Sequence, residues 1–194
     1  MISTVNLDVL FHALAAHLDR SEGPAFELVV CGGSALLAHG LISRATRDVD
    51  VVALRDGPDL LTAQPLPEEI RLASDRVAAD FGLPRDWING GPTSLLTFGL
   101  PEGCLDRVHS KSFGVRLVLH WLARKDLIAL KLYALADTGP GRHLSDMAAL
   151  APSMEELAWA TRWVLTQDDS EGFKTLLAAA LRALGVADAF GIIG

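Results

Sequence analysis

Two short segments in the N-terminal third of the chain carry residue types that could do phosphate chemistry. In the first, the apolar run 29–31 leads into Gly32, Gly33 and Ser34. Glycine lets a backbone approach a ligand closely, and a helix that starts after such a turn directs free N–H groups at an anion. The segment predicts an anion site, with the Ser34 hydroxyl available either to cap the helix or to donate to a phosphate oxygen.

The second segment places two carboxylates two residues apart. Asp48 and Asp50 lie on a predicted strand, so both side chains point to one face while Val49 points to the core. Neighbouring carboxylates repel each other unless a cation lies between them, and oxygen ligands suit Mg²⁺ or Mn²⁺. The pair therefore predicts a divalent-metal site. Arg44 and Thr46, just before it, are candidates either for substrate contact or for holding the loop.

Hydrophobic periodicity predicts the elements that position these segments. Apolar or β-branched runs predict strands at 26–31, 48–54, 94–98 and 115–120. Helical spacing predicts helices at 6–19, 34–41, 68–81, 126–136, 143–150, 153–165 and 171–184. Ser21 to Pro24 is expected to end the first helix, and Ser153 to Glu156 matches a capping box.

The order of these elements predicts an α/β or α+β fold, with a β-sheet flanked by helices and a helical C-terminal part. Strands give way to helices near residue 120. The expected division is a core at 1–120 and a helical part at 121–194 that packs on the core, without a clear linker between them. A chain of 194 residues is long enough for such a core and appendage.

Composition limits the partners that we expect. Lys and Arg number 17 against 24 Asp and Glu, and the net charge of −7 gives no support for nonspecific nucleic-acid binding. An acidic chain that binds a triphosphate is expected to use a metal ion. No apolar run approaches the roughly 20 residues that span a bilayer, and the N-terminus lacks a signal-like basic region. Because Cys31 and Cys104 make neither a disulfide framework nor a zinc site, we expect a cytoplasmic protein.

The glycine turn and the carboxylate pair together resemble the signature of the nucleotidyltransferase superfamily, Gly-Gly-Ser followed after a helix by Asp-x-Asp. Arg44, Thr46 and Arg47 resemble the Arg-x-Thr-x-Asp-x-Asp version, which is typical of bacterial minimal nucleotidyltransferases. These include the AbiEii-like toxins of type IV toxin–antitoxin systems. Downstream, the segments 125–132 and 146–150 are similar to the tail of the same group.

The resemblance covers roughly residues 26–54 and 115–150. It implies a nucleotidyltransferase-type mixed sheet, a nucleoside triphosphate, and Mg²⁺ or Mn²⁺ on the catalytic pair Asp48 and Asp50. The residues that it implies as nucleotide or phosphate contacts are Gly32, Gly33, Ser34, Arg44, Thr46 and Lys131. The implied reaction is nucleotidyl transfer to a hydroxyl of RNA, a protein or a small molecule, in a toxin whose partner is an antitoxin or a second copy.

Active members of the superfamily usually carry a third carboxylate on a later strand. The predicted strand at 115–120 offers Arg116 and His120 instead, while Asp86 and Asp106 lie outside any predicted strand. Two alternatives therefore stay open. One is a catalytically degenerate nucleotide-binding or regulatory, antitoxin-like module. The other is a protein-interaction module, whose apolar last helix would form a partner surface or a dimer seam.

Overall fold

Two units make up the chain. The computed structural model describes residues 1–20 and 22–193, and the chain divides into Met1–Leu122 (unit 1) and Ala123–Gly194 (unit 2). The sequence predicts this division after residue 120, two residues before the observed one. Within the described ranges, no helix is both long enough and apolar enough to cross a membrane.

Unit 1 contains a mixed sheet and three α-helices. The helices are α1 (Thr4–Asp19), α2 (Gly32–Ala38) and α3 (Glu68–Phe81). The strands are β1 (Phe26–Cys31), β2 (Val49–Asp56), β3 (Asp59–Leu61), β4 (Ile88–Asn89), β5 (His109–Phe113) and β6 (Leu117–Trp121). Two 3₁₀ segments lie at Gly91–Thr97 and Cys104–Asp106.

The sheet runs in the order β3-β2-β1-β6-β5, and the short β4 pairs with the start of β2. β1 is antiparallel to β2 but parallel to β6, and β5 is antiparallel to β6. A parallel neighbour requires a crossover connection. The chain makes this crossover between β1 and β6, so the segment with both predicted motifs lies inside it. The predicted fold class is confirmed: a mixed sheet flanked by helices, followed by a helical part.

Phe11 of α1 anchors the core on one side of the sheet. Its fully buried ring lies 5.5 Å from the rings of Phe113 and Trp121 and 6.0 Å from that of Trp87. The Trp87 indole N–H donates to the carbonyl oxygen of Ser74 at 3.0 Å, which satisfies its buried polar atom. This aromatic cluster packs α1 against β5 and β6.

Local sequence signals set the bounds of α3 correctly. The helix occupies the predicted range, with Glu68 and Glu69 in the first turn, where the helix dipole favours carboxylates. Gly82 ends it in a left-handed conformation with φ of 63°. The first predicted helix is also present and ends at Asp19. Ser21, where its terminating turn was expected to begin, lies outside the described residues.

The strand predicted at 94–98 is wrong. Most of this segment belongs to the 3₁₀ segment Gly91–Thr97, which begins with a glycine and Pro92. Proline suits the first turn of a helical segment because its missing N–H has no partner to find there. None of the residues in this segment is buried. Their apolar and β-branched character therefore marks a partly exposed surface loop and not a core strand.

Three strands were not predicted. β3 has three residues and β4 has two, so neither shows a detectable period. β5 reads His-Ser-Lys-Ser-Phe, and only its last residue, Phe113, is buried. It forms one edge of the sheet, where polar residues are common.

Unit 2 consists of helices. They are α4 (Arg124–Thr138), α5 (Arg142–Leu150), α6 (Met154–Gln167), α7 (Glu171–Ala183) and α8 (Ala189–Ile193). All but α8 were predicted. The capping box at the start of α6 is confirmed, because the Glu156 N–H donates to the Ser153 hydroxyl at 3.2 Å and the Ser153 N–H donates back to the Glu156 carboxylate at 2.8 Å. Arg124 pairs with the same carboxylate.

Aromatic packing holds these helices together. The Tyr133 ring lies 5.6 Å from that of Phe173 and 6.4 Å from that of Trp163. Trp163 is buried, as predicted. Trp159, also expected in the core, is only half-buried, with the Lys125 ammonium 4.2 Å from its ring centroid.

Candidate functional site

The predicted glycine turn follows β1 directly and opens α2. Gly32 adopts a φ of +70°, a left-handed conformation that other residues rarely take. A Cβ atom at this position would overlap the carboxylate of Asp50. The turn therefore brings the Gly32 backbone against one of the two predicted metal ligands. The close approach predicted from the glycines was to a bound anion, which stays a prediction.

Gly33 makes a second close approach. A Cβ atom there would lie 2.8 Å from the hydroxyl oxygen of Thr46 and 3.9 Å from a terminal guanidinium nitrogen of Arg44. Real Cβ atoms essentially never come within 3.0 Å of such an atom. The two glycines thus pack against three residues of the second motif, and the two predicted segments form one cluster in space.

Thr46 is the anchor of the loop between α2 and β2. Its backbone forms a two-way bridge with Ile2, with N–H to oxygen distances of 2.7 and 2.8 Å. The side chain is buried, and its hydroxyl donates to the carbonyl oxygen of Asp48 at 3.4 Å. These bonds hold the loop in position from both sides, and they account for a threonine here without a substrate contact.

Asp48 and Asp50 lie at the start of β2. Asp48 precedes the strand by one residue, and both carboxylates are half-buried, while Val49 between them is fully buried as predicted. Asp50 is paired with Cys31 on β1 and with Asn89 on β4. The pair therefore sits where β1 ends and the glycine turn begins.

A β-bulge lies next to this point. Val30 pairs with Val51, but Val29 pairs with Ala53, so β2 carries one extra residue. Bulges bend a strand and redirect its side chains, and they are common beside functional sites.

The two carboxylates fit a magnesium ion that is shared with a substrate. Within residues 1–20 and 22–193, no cluster of three or more His, Cys, Asp or Glu side chains is arranged to hold a metal ion. Mg²⁺ is commonly bound by one or two carboxylates together with substrate phosphates, and it keeps several waters. Asp48 and Asp50 supply that number of carboxylates, beside a turn in which Gly32 is half-buried and Gly33 is buried.

Ser34 lies deeper than the sequence indicates. It is fully buried on α2, which begins at Gly32 and not at Ser34 as predicted. Its hydroxyl donates to the carbonyl oxygen of Cys31 at 3.2 Å. Ser34 therefore stabilises the turn from inside, and a contact with phosphate would require it to exchange this hydrogen bond.

The two positions considered for a third carboxylate, on β6 and just before it, hold an arginine and a histidine. Arg116, just before β6, is buried and donates to the carbonyl oxygens of Pro24, at 2.9 Å, and of Leu18, which gives it a structural role. His120 is also buried and contacts Glu27 of β1, with 2.7 Å between its Nε2 and a carboxylate oxygen.

The other carboxylates considered as a third acid lie elsewhere. Asp86 forms an exposed ion pair with Arg47 at 3.2 Å, and Asp106 belongs to the second 3₁₀ segment. Glu27 was not recognised from the sequence. The available signal was an acidic residue inside the otherwise apolar run of β1.

Lys131 and Asp146 form an ion pair within unit 2. The Lys131 ammonium lies 2.8 Å from an Asp146 carboxylate oxygen, and the side chains are only 8% and 1% exposed. The resemblance implies a phosphate contact for Lys131, which stays a prediction. In the structure its ammonium pairs with a buried carboxylate.

Comparison of the chain with protein-family models, curated proteins and solved structures finds no match to any of them. The resemblance to nucleotidyltransferases therefore stays a prediction from the residues themselves.

Proposed function

We propose that this protein transfers a nucleotidyl group from a nucleoside triphosphate to an acceptor hydroxyl, with Mg²⁺ or Mn²⁺ as cofactor. The observation that supports it is the packing of the glycine turn on the second motif. Gly32 lies against the Asp50 carboxylate and Gly33 against the Thr46 hydroxyl. The two motifs, which are separated along the chain, form one cluster in space, in which the half-buried residues Asp48 and Asp50 lie beside the glycine turn.

Each residue has a role in this proposal. Asp48 and Asp50 hold the metal ion, and the backbone of Gly32 and Gly33 binds the β- and γ-phosphates. The metal ion, when bound, neutralises charge on the phosphate oxygens. The acceptor oxygen attacks the α-phosphorus as its hydroxyl proton passes to solvent water, the bond from phosphorus to the bridging oxygen breaks, and pyrophosphate leaves. Arg44, which is exposed and close to Gly33, supplies a positive charge to the triphosphate.

The acceptor is RNA, a protein side chain or a small molecule. The net charge of −7 weakens the case for RNA because nonspecific binding of nucleic acids depends on basic side chains that neutralise phosphates. A protein acceptor in a bacterial, cytoplasmic toxin–antitoxin system is the form of the proposal that suits this charge best.

The first test is calorimetric titration with each of the four ribonucleoside triphosphates, with and without Mg²⁺. We expect metal-dependent binding by the wild type and loss of most of it in Asp48→Ala and Asp50→Ala. Asp56→Ala is the matched control, because Asp56 is an exposed carboxylate at the other end of the same strand. Binding that survives in both site variants, or is lost equally in the control, would contradict the proposed site.

A second candidate is a nucleotide-binding module without turnover. It is favoured by the residues found where a third carboxylate was expected: Arg116, just before β6, and His120, on β6, are both engaged in hydrogen bonds with other parts of unit 1. The two candidates differ in pyrophosphate release from labelled triphosphate in cell extract. Metal-dependent binding with release supports the transferase, and binding without release supports the module.

A further inference from the structure

A chain of hydrogen bonds links three side chains on three neighbouring strands. The Ser110 hydroxyl oxygen lies 2.7 Å from Nδ1 of His120, and Nε2 of the same ring lies 2.7 Å from a carboxylate oxygen of Glu27. Both distances are at the short end for hydrogen bonds. Each ring nitrogen therefore has one well-defined partner, a hydroxyl on one side and a carboxylate on the other.

The sheet itself builds this arrangement. Ser110 on β5 pairs directly with His120 on β6. His120 in turn pairs with Val29 on β1, and Glu27 lies two residues before Val29. Because side chains alternate along a strand, all three polar groups point to the same face. Paired strands, and not a flexible loop, hold the geometry.

The two partners of the ring indicate how the proton of a neutral imidazole would be placed. A carboxylate only accepts hydrogen bonds, so that proton would lie on Nε2, facing Glu27. Nδ1 then carries a lone pair and accepts the hydroxyl proton of Ser110. Arg55, whose Nε lies 4.0 Å from the same Glu27 oxygen, adds a positive charge beside the carboxylate.

Exposure differs along this chain in a way that suits a nucleophile. His120 is buried, with 5% of its side chain exposed, while Ser110 is exposed on an edge strand. A serine within hydrogen-bond reach of a base, which is itself oriented by a third group, is the recurring geometry of nucleophilic catalysis. Here the base is shielded from solvent and the hydroxyl is accessible.

We propose that Ser110 is an activated nucleophile that accepts an acyl group from a small ester, with His120 as general base and Glu27 as its positioning residue. The Ser110 oxygen attacks the carbonyl carbon, and its proton moves to Nδ1 of His120. The bond from the carbonyl carbon to the alcohol oxygen breaks, and the departing alkoxide takes the proton. Water then attacks the acyl-serine by the same route, which releases the carboxylic acid and restores Ser110.

The test uses p-nitrophenyl acetate and the full chain, with acetylated residues located by peptide fragmentation in mass spectrometry. Ser112 is the internal control, because it is an exposed serine two residues along β5 and lies opposite Val118 instead of a histidine. General-base assistance contributes about 10²–10⁴-fold, so we expect Ser110 to be acetylated faster than Ser112 by a factor in that range. Equal rates at the two serines would overturn the proposal.

Variants separate the roles of the three residues. Ser110→Ala should abolish the fast acetylation and Ser112→Ala should leave it unchanged. His120→Gln, which keeps a hydrogen-bonding side chain beside Glu27, should slow acetylation of Ser110 to the rate of Ser112. Glu27→Ala should slow the acetylation of Ser110, and Glu27→Asp, which keeps a carboxylate, should be faster than Glu27→Ala. A purely structural role of Glu27 would not require this difference.

This proposal is independent of the nucleotide site. The two proposals use different residues, so failure of either proposal leaves the other standing. Rapid acetylation of Ser110 in His120→Gln would show a serine that is reactive without its base, and would overturn the role of His120.

Discussion

The glycine turn of unit 1 and the Lys131–Asp146 pair of unit 2 handle charge in opposite ways. At the turn, Asp48 and Asp50 are half-buried beside closely packed backbone. In unit 2 the ammonium and the carboxylate lie 2.8 Å apart and are almost completely buried. The carboxylates of the first cluster therefore keep partial contact with solvent, whereas the second cluster pairs its opposite charges in the interior.

Removing one member of the buried pair should have the largest effect. Lys131→Met leaves the Asp146 carboxylate buried without the ammonium that neutralises it, and breaking such pairs costs about 3–5 kcal/mol. We expect a loss of that order in the free energy of unfolding, measured by urea denaturation. The double variant Lys131→Met/Asp146→Leu should recover most of it, because no buried charge is then left.

If Lys131→Met leaves the free energy of unfolding unchanged, the buried pair does not stabilise the fold, and the difference drawn between the two clusters is wrong. Such a result would mean that Lys131 contributes little to folding and is available for a ligand.

At the glycine turn, the effect of a substitution on stability should come from the backbone conformation. Gly32→Ala introduces a side chain at a φ of +70°, which costs about 1–2 kcal/mol for the left-handed conformation, and it adds an overlap with the Asp50 carboxylate. Gly40→Ala is the matched control: its φ is +66°, and no atom of the described residues lies within 4 Å of the added Cβ.

The difference in unfolding free energy between these two alanine variants isolates the contact with Asp50. We expect Gly32→Ala to be the less stable of the two and to lose metal-dependent triphosphate binding, while Gly40→Ala retains binding. Identical behaviour of the two variants would show that Gly32 is required only for its conformation.

The smallest effect concerns the start of α6. Burial of Glu156 opposes ionisation, but the Ser153 N–H and the Arg124 guanidinium outweigh it and hold the pKa of this carboxyl below its ordinary value. A lowered pKa contributes stability above the ordinary value, about 4.3, and that stability is lost as the pH falls through the folded pKa.

Glu156→Gln should therefore lower stability at neutral pH by about 0.3–1 kcal/mol, because the amide carries no charge for the helix N-terminus and Arg124, and it should reduce the loss on acidification. Glu155→Gln is the control, since Glu155 is an exposed neighbour in the same turn. Thermal unfolding between pH 3 and pH 7 provides the measurement. Parallel pH curves for wild type and Glu156→Gln would show that this carboxyl is not coupled to folding.

Signals that act within a few residues made much of the fold predictable. The acidic first turn and the terminal glycine of α3, and the capping box of α6, are contacts between near neighbours in the chain. The turn at Gly32 and Gly33 and the carboxylates of Asp48 and Asp50 are likewise recognisable by type and spacing.

Contacts between distant residues were not predictable in the same way. Glu27 and His120 are 93 positions apart and meet only because β1 and β6 pair in parallel. The burial of Ser34 depends on how α2 packs, and a glycine–glycine–serine run is compatible with either an exposed or a buried hydroxyl. The segment 94–98 shows that apolar content alone does not distinguish a strand from a surface loop.

The polar residues of β5, which kept this strand from being predicted, also affect how the protein aggregates at high concentration. An edge strand presents unpaired N–H and C=O groups, which recruit strands of other molecules and lead to aggregation. In β5 the exposed positions are His109, Ser110, Lys111 and Ser112, and the Lys111 ammonium is held by Asp8 of α1. A charged, hydrophilic edge strand of this kind disfavours edge-to-edge pairing of sheets between copies.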